Sequence, residues 1–179
     1  QFDLTGISDF AYFKRPIDDG SAPEQSGGRL YNKLTAAYPM MRTWGYVTPS
    51  ISLQHLYTQF DQESADANGL DENSKSQSIF VPQFSIDSGL NFFKAGTPFG
   101  KFDESLGGYQ LLSPRLKYVY SPYKDQTDVP NFNTRLASLN FSQLYEDSWF
   151  LGYDRLPDNN HLTPSLNYRY IDGNGLTRL

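Results

Sequence analysis

Residues 47–60 read VTPSISLQHLYTQF, with Val47, Pro49, Ile51, Leu53 and Tyr57 at odd positions and Thr48, Ser50, Ser52, Gln54 and Thr58 at even ones. A period of two marks a strand whose faces meet different surroundings, because successive side chains point to opposite sides of a sheet. The pattern repeats along the chain. In 80–92 the apolar set is Phe80, Pro82, Phe84, Ile86, Leu90 and Phe92, against Gln83, Ser85, Asp87 and Asn91. In 112–120 it is Leu112, Pro114, Leu116, Tyr118 and Tyr120, against Ser113, Arg115 and Lys117, with Val119 as an exception. In 162–171 it is Leu162, Pro164, Leu166, Tyr168 and Tyr170, against Thr163, Ser165, Asn167 and Arg169.

Two weaker runs precede these, 2–13 and 30–38; in the second, Leu30, Leu34, Ala36 and Tyr38 share a face opposite Lys33. Every charged residue inside the six runs (Asp3, Asp9, Lys33, Asp87, Arg115, Lys117 and Arg169) falls on the less apolar parity. One face is therefore uncharged. A soluble β-sandwich also alternates, with one face packed inward and one wet, so alternation alone leaves a sandwich and a membrane barrel both open.

The connections separate them better. Long polar links at 14–28, 61–77 and 121–159 alternate with shorter ones at 39–45, 94–108 and 172–175. Outer-membrane barrels pair long outer loops with short periplasmic turns, although the link at 94–108 is long for such a turn. Pro49, Pro82, Pro114 and Pro164 each remove a ladder donor, and each lies near the start of its run. Around them TPSISL, VPQFSI, SPRLKY and TPSLNY repeat one pattern, read as a recurring way of starting a strand. A soluble repeat fold is the alternative, but long dissimilar loops fit a solenoid poorly.

The expected fold is all-β: an antiparallel transmembrane β-barrel segment of about six to seven strands, part of a larger barrel. Strands are expected near 1–13, 30–39, 46–60, 78–93, 109–120 and 161–171, with a seventh beginning at Leu176. Residues 1–179 read as one fragment of a single barrel domain without an internal boundary, since LTRL follows a turn signal and then stops.

Composition agrees without deciding. Aromatic residues make up 16% of the chain, with 13 Tyr and 13 Phe, at a mean hydropathy of -0.57. Aromatics favour strands, and Tyr suits membrane interfaces. A net charge of -5 with 15 scattered basic residues gives no footprint for nucleic acid. The start, QFDLTGISDF, lacks the basic and apolar runs of a signal peptide, and no continuous apolar stretch reads as a membrane helix.

No chemistry-bearing constellation emerges, so neither an enzyme nor a cofactor is expected. With no cysteine there is no disulfide framework or thiolate metal site in these residues, and His55 and His161 lie in different strand runs. Asp61, Glu63, Asp66, Asp71 and Glu72 lack an ordered calcium-loop spacing and read as a solvated loop. Asp172-Gly173-Asn174-Gly175 between alternating runs is a hairpin turn. Serine occurs, but no Gly-x-Ser-x-Gly elbow does.

The run SPRLKYVYSPYKDQTDVPNFNT, and after a gap YEDSWFLGYDRLPDNNHLTPSLNYRYID, closely resembles the lipopolysaccharide-assembly outer-membrane protein family, LptD, also called organic solvent tolerance protein. The shared pattern falls on Pro114, Arg115, Pro122, Tyr123, Asp125, Gln126, Gly152, Asp154, Arg155, Asn160 and Thr163. The upstream segments RTWGYVTPSISL and FVPQFSID are similar but carry less on their own.

The resemblance implies a central piece of a very large barrel in the bacterial outer membrane, passing lipopolysaccharide into the outer leaflet. It implies as partners lipopolysaccharide, outer-membrane lipid, the remaining strands of the barrel, a plug lipoprotein LptE and a periplasmic lipopolysaccharide-transport bridge. The family-motif loop comprises Pro122, Tyr123, Asp125, Gln126 and Asp128 with Gly152, Asp154 and Arg155, and its Pro122 to Asp128 part is expected to fold an extracellular loop, because Pro fixes φ and Asp caps turns. Lys33, Arg115, Lys117 and Arg169 are candidate lumen contacts for phosphate, with pairing to Asp3, Asp9, Asp87 or the plug as the favoured reading. A general porin or uptake channel, marked by a charged constriction loop, and a soluble carbohydrate-binding sandwich stand as alternatives.

Overall fold

The computed structural model describes residues 2–14, 26–61, 75–96 and 107–177. Ten strands follow in chain order: β1 (Asp3–Phe13), β2 (Gly27–Ala37), β3 (Met40–Arg42), β4 (Gly45–Phe60), β5 (Ser76–Leu90), β6 (Phe92–Ala95), β7 (Gly108–Tyr120), β8 (Arg135–Leu136), β9 (Phe150–Leu151) and β10 (Asn160–Asp172). The long strands form one antiparallel sheet in the order β1-β2-β4-β5-β7-β10, so each pairs with its neighbours along the chain. The alternating runs are these strands. The seventh run is represented by a bridge between Thr177 and Ile171 across the Asp172–Gly175 turn, where Asp172 accepts the N–H groups of Asn174 and Leu176.

Two short strands are continuations created by proline. β3 keeps the register of β2 against β4, and Tyr38 N–H donates to Pro49 across the gap, so the ladder lapses only at Tyr38 and Pro39. The link at 39–45 is thus mostly strand, closed by a two-residue turn at Thr43 and Trp44 between the paired Arg42 and Gly45. Similarly β6 keeps the register of β5 against β7, and the break at Leu90 and Asn91 falls opposite Pro114 and Ser113. Proline has no N–H for the ladder, and the Ser113 hydroxyl bridges to Asn91 instead, at 3.0 Å.

The strands begin upstream of the alternating runs, at Gly45, Ser76, Gly108 and Asn160, so Pro49, Pro82, Pro114 and Pro164 lie inside strands rather than at their starts. All four sit on the apolar parity of their strands.

Exposure inverts the soluble arrangement. Leu4, Phe10, Ile51, Leu53, Phe80, Phe84, Leu162 and Leu166 stand exposed on one face, while Ser52, Gln54, Thr58, Gln83, Ser85 and Thr163 are buried on the other. A soluble sandwich would bury the first set and wet the second. The sheet is open among the described residues, with β1 and β10 as its edges. The polar face is buried because the link between β7 and β10 folds onto it.

Candidate functional site

The 121–159 link begins as a hairpin. Ser121 N–H donates to Asn159 O at 2.7 Å, one pair beyond the β7–β10 ladder, and Asn159 N–H donates back to the Ser121 hydroxyl at 2.9 Å. Gln126 then clamps Leu156 through both groups of its amide, each at 2.8 Å, and β8 pairs with β9 further out. The two arms stay together while the hairpin curls inward. β7 and β10 stop opposite Phe84, whereas β5 runs on to Ser76, leaving Ser76 to Gln83 without a strand on that side among the described residues. The loop fills this step.

Its apolar contact is small and specific. Val129 and Leu156 from the loop join Tyr31, Leu56 and Val81 from the wall in one buried cluster, with Ile79 and Tyr153 against it. Tyr153 stacks on Tyr31 at 4.4 Å, and Phe132 stacks on Phe13 at 4.8 Å. Val119, the exception to the alternation, is completely buried on this inner face.

Around the cluster the contacts are charged. Asp154 has no exposed surface; one oxygen accepts the N–H groups of Asn133 and Thr134 at 2.7 and 2.9 Å, and the other accepts Arg29 Nη1 at 2.6 Å. Arg29, itself buried on β2, also meets Asp9 of β1 at 2.9 Å and Asn133 at 3.0 Å. Gly152, beside it, has φ +111°, and a Cβ there would lie 2.5 Å from the Thr134 hydroxyl. Only glycine fits. At the other side, Lys117 pairs with Asp147 at 2.6 Å and donates to Tyr145 O, while Gln83 donates to Asp147 O.

The sequence-derived residues divide accordingly. Gln126, Gly152, Asp154 and Arg155 build the inward fold, and Arg155 Nη1 donates to the carbonyls of Pro130 and Asp154. Burial lowers the Arg155 pKa, partly opposed by Asp154. Asp125 accepts the hydroxyl and N–H of Thr127, which hold its carboxyl below the usual range. Tyr123 and Asp128 are exposed, and Pro122 is half-buried. The middle of the loop turns onto the inner face, where its carbonyls accept Lys117, Gln83 and Thr163 of the wall.

Among the candidate lumen cations, Arg115 is held bidentately by Asp87, at 3.0 and 2.5 Å, and lies over the Tyr145 ring. Lys117 is committed to the loop rather than to the strand carboxylates first considered. Lys33 and Arg169 have no ion-pair partner among the described residues. His55 points outward and shares a hydrogen bond with Ser78, and His161 packs edge-on against Trp149. Asp61 accepts the Tyr12 hydroxyl, whereas Glu63, Asp66, Asp71 and Glu72 lie outside the described residues. No group of residues suited to hold a metal occurs among the described residues. Arg29, Tyr31, Asp147 and Phe132 escaped sequence reasoning; they carry no local signal beyond their charge or ring.

A family model described as LPS transport system D matches residues 1–179. The chain belongs to the LptD family. It is 64% identical over 177 residues to the LPS-assembly protein LptD of Psychrobacter cryohalolentis, covering 99% of this chain and 18% of that one. The LPS-assembly protein LptD of Acinetobacter baylyi is 40% identical over 174 residues, 96% of this chain and 20% of its own length. That of Pseudomonas syringae pv. syringae is 41% identical over 158 residues, 86% and 16%. The chain spans about a fifth of the length of the curated relatives it matches. LptD membership and the apolar outward face together locate this segment in the bacterial outer membrane, as a stretch of antiparallel barrel wall.

Proposed function

We propose that this segment is one continuous stretch of the wall of the outer-membrane translocon that inserts lipopolysaccharide into the outer leaflet, with no internal domain boundary and no catalytic role. The carrying observation is the inverted sheet. Its apolar side chains face outward and its polar side chains face inward beneath a loop of the same chain, in a member of the LptD family. In hydrocarbon every backbone group needs an internal partner, which a closed barrel provides, so the free edges β1 and β10 are assigned to further strands of the same barrel. The plug lipoprotein LptE and the periplasmic bridge are proposed partners of the whole protein on family grounds.

A porin reading has one observation in its favour: a charged loop folded against the inner wall. Three cations are nevertheless paired, Arg29 with Asp154, Lys117 with Asp147 and Arg115 with Asp87, and these pairs do not oppose one another across open water. The test uses the full-length parent protein. Cells depleted of it should lose newly made lipopolysaccharide from the surface, and purified protein in liposomes should not pass small sugars in a swelling assay. Undiminished surface lipopolysaccharide on depletion, or rapid sugar-driven swelling, would refute the proposal.

A further inference from the structure

A polar seam crosses the outward face of the wall. Ser8, Asn32 and His55 are direct partners in the β1–β2 and β2–β4 ladders, and all three lie on the outward parity of their strands. The Ser8 hydroxyl donates to Asn32 Oδ1 at 2.8 Å, and His55 Nε2 shares a hydrogen bond with the outward Ser78 hydroxyl of β5 at 3.0 Å. Polar groups immersed in hydrocarbon are costly, so the depth of this row decides what it meets.

The depth follows from the strands themselves. Toward the short links, the outward residues between Asn32 and Arg42 are Leu34, Ala36, Tyr38 and Met40, and those between His55 and Gly45 are apolar from Leu53 to Val47. Each interval is ten residues, Asn32 to Arg42 and His55 to Gly45. At about 3.3 Å per residue and a strand tilt near 40° this is about 25 Å, the height of the apolar band of an outer-membrane barrel. Beyond the seam, Tyr12 and Tyr57 turn their hydroxyls away from the band, to Asp61 at 2.7 Å and Gln59 at 3.4 Å, as tyrosines of a membrane interface do. The seam therefore stands at the edge of the hydrocarbon on the long-link side, which in such barrels lies outside.

At that edge a lipid presents the carbonyl oxygens of its acyl linkages, which are uncharged hydrogen-bond acceptors. The seam matches them. Among the described residues the Asn32 amide N–H groups have no partner, and His55 presents Nδ1–H when its Nε2 accepts the Ser78 proton. The next outward residues, Phe10, Leu30 and Tyr57, line a dent of about 540 Å³ with room for the lipid's head. A membrane-spanning partner protein could meet a polar row at any depth, so the coincidence with the edge of the band favours lipid.

We propose that Ser8, Asn32, His55 and Ser78 form a docking seam for the acyl-linkage carbonyls of an outer-leaflet lipid, whose chains lie along Leu34 and Leu53 and whose head occupies the dent. The proposal rests on the segment being barrel wall and is independent of what the barrel carries.

The first measurement is depth. The full-length parent protein, carrying a fluorescent amino acid at Ser8 or at the exposed Leu4 two outward positions lower, is reconstituted in phosphatidylcholine vesicles. Nitroxide on the lipid head should quench the probe at Ser8 more strongly than nitroxide at mid-chain, and the order should reverse at Leu4. Stronger mid-chain quenching at both positions would overturn the seam and leave the wall intact, whereas no quenching at either would remove the wall as well. The second measurement is recognition. Native mass spectrometry of the parent protein, mixed in detergent with diester phosphatidylcholine or its diether analogue, should find the diester retained roughly tenfold better, the order expected of one or two neutral hydrogen bonds. Asn32→Leu combined with His55→Leu, which makes the outward face more apolar, should abolish that preference while folded protein is unchanged. Equal retention of the two lipids, or a preference that survives the double substitution, would overturn the proposal. Loss of folded protein in the double variant would assign the seam to strand pairing, and a protein captured in cells by a photocrosslinker at Ser78 would assign it to a protein partner; either would overturn it too.

Discussion

Replacing Asp154 by asparagine keeps the side-chain shape but sets an amide where a carboxylate now meets Arg29 at 2.6 Å. Breaking a buried ion pair by neutralising one partner costs about 3–5 kcal/mol, because the other charge is left buried. Arg29 keeps Asp9 and the Asn133 side-chain oxygen Oδ1, and the N–H groups of Asn133 and Thr134 can still donate to the remaining oxygen. The expected loss is therefore at the lower end, about 3 kcal/mol, and it falls on loop attachment rather than on the strand ladders. If the loop opens as a unit, amide hydrogen exchange at Asn133 and Thr134 in the detergent-solubilised parent protein should accelerate roughly 150-fold, at 1.4 kcal/mol per tenfold. Amides of Ile51 and Leu53 in β4 should exchange as before. Adding Arg29→Met should cost less than the sum of the single changes, since removing both charges leaves neither stranded. Acceleration below about fivefold would show that the pair is not a latch, and equal acceleration in β4 would show that it holds the barrel rather than the loop.

Three further outcomes are expected. Leu166→Arg, on the exposed apolar face midway along β10, should cost about 2–4 kcal/mol and sharply reduce folded, heat-modifiable protein in membranes, whereas Asn167→Arg, inward and exposed, should not; equal loss would reverse the assignment of faces. Ser85, although inward, is too buried beneath the loop to serve as the tolerant control. The 179 residues expressed alone should aggregate or need detergent, because an apolar outer face and two unpaired edges remain, and a cooperative melt of a confirmed monomer in plain buffer would contradict the membrane reading. Because Thr127 lowers the Asp125 pKa, the turn's contribution is present above the ordinary carboxylate range and lost as pH falls through the lowered value; exchange at the Thr127 amide should quicken only in that acid window, and not at all in Asp125→Asn.

The wall was legible because its signal is local. Each strand's face is written in residues two apart, so the parity of Ile51, Phe84, Leu116 and Leu166 follows without knowing any partner. The strand ends were less legible: the ladder breaks at Pro39 and opposite Pro114, and whether a proline ends a strand or only interrupts it depends on which neighbour would have accepted its N–H. The inward loop was not legible at all. Gly152, Asp154 and Arg155 stood out through a family resemblance, but their geometry depends on Arg29, 125 residues from Asp154 along the chain. Arg29 follows two glycines at the end of a long link, and a solvated arginine there would have the same sequence surroundings. The contrast has a physical origin. A lipid-facing strand is selected residue by residue by its solvent, which leaves a periodic trace, whereas the loop is held by a few charge pairs and rings that need only meet in space. Those pairs also explain why the inner face could be polar and buried together: Ser52, Gln54, Thr58 and Gln83 lie under a loop whose own contacts are largely polar, so the wall keeps a hydrophilic lining wherever the loop does not cover it.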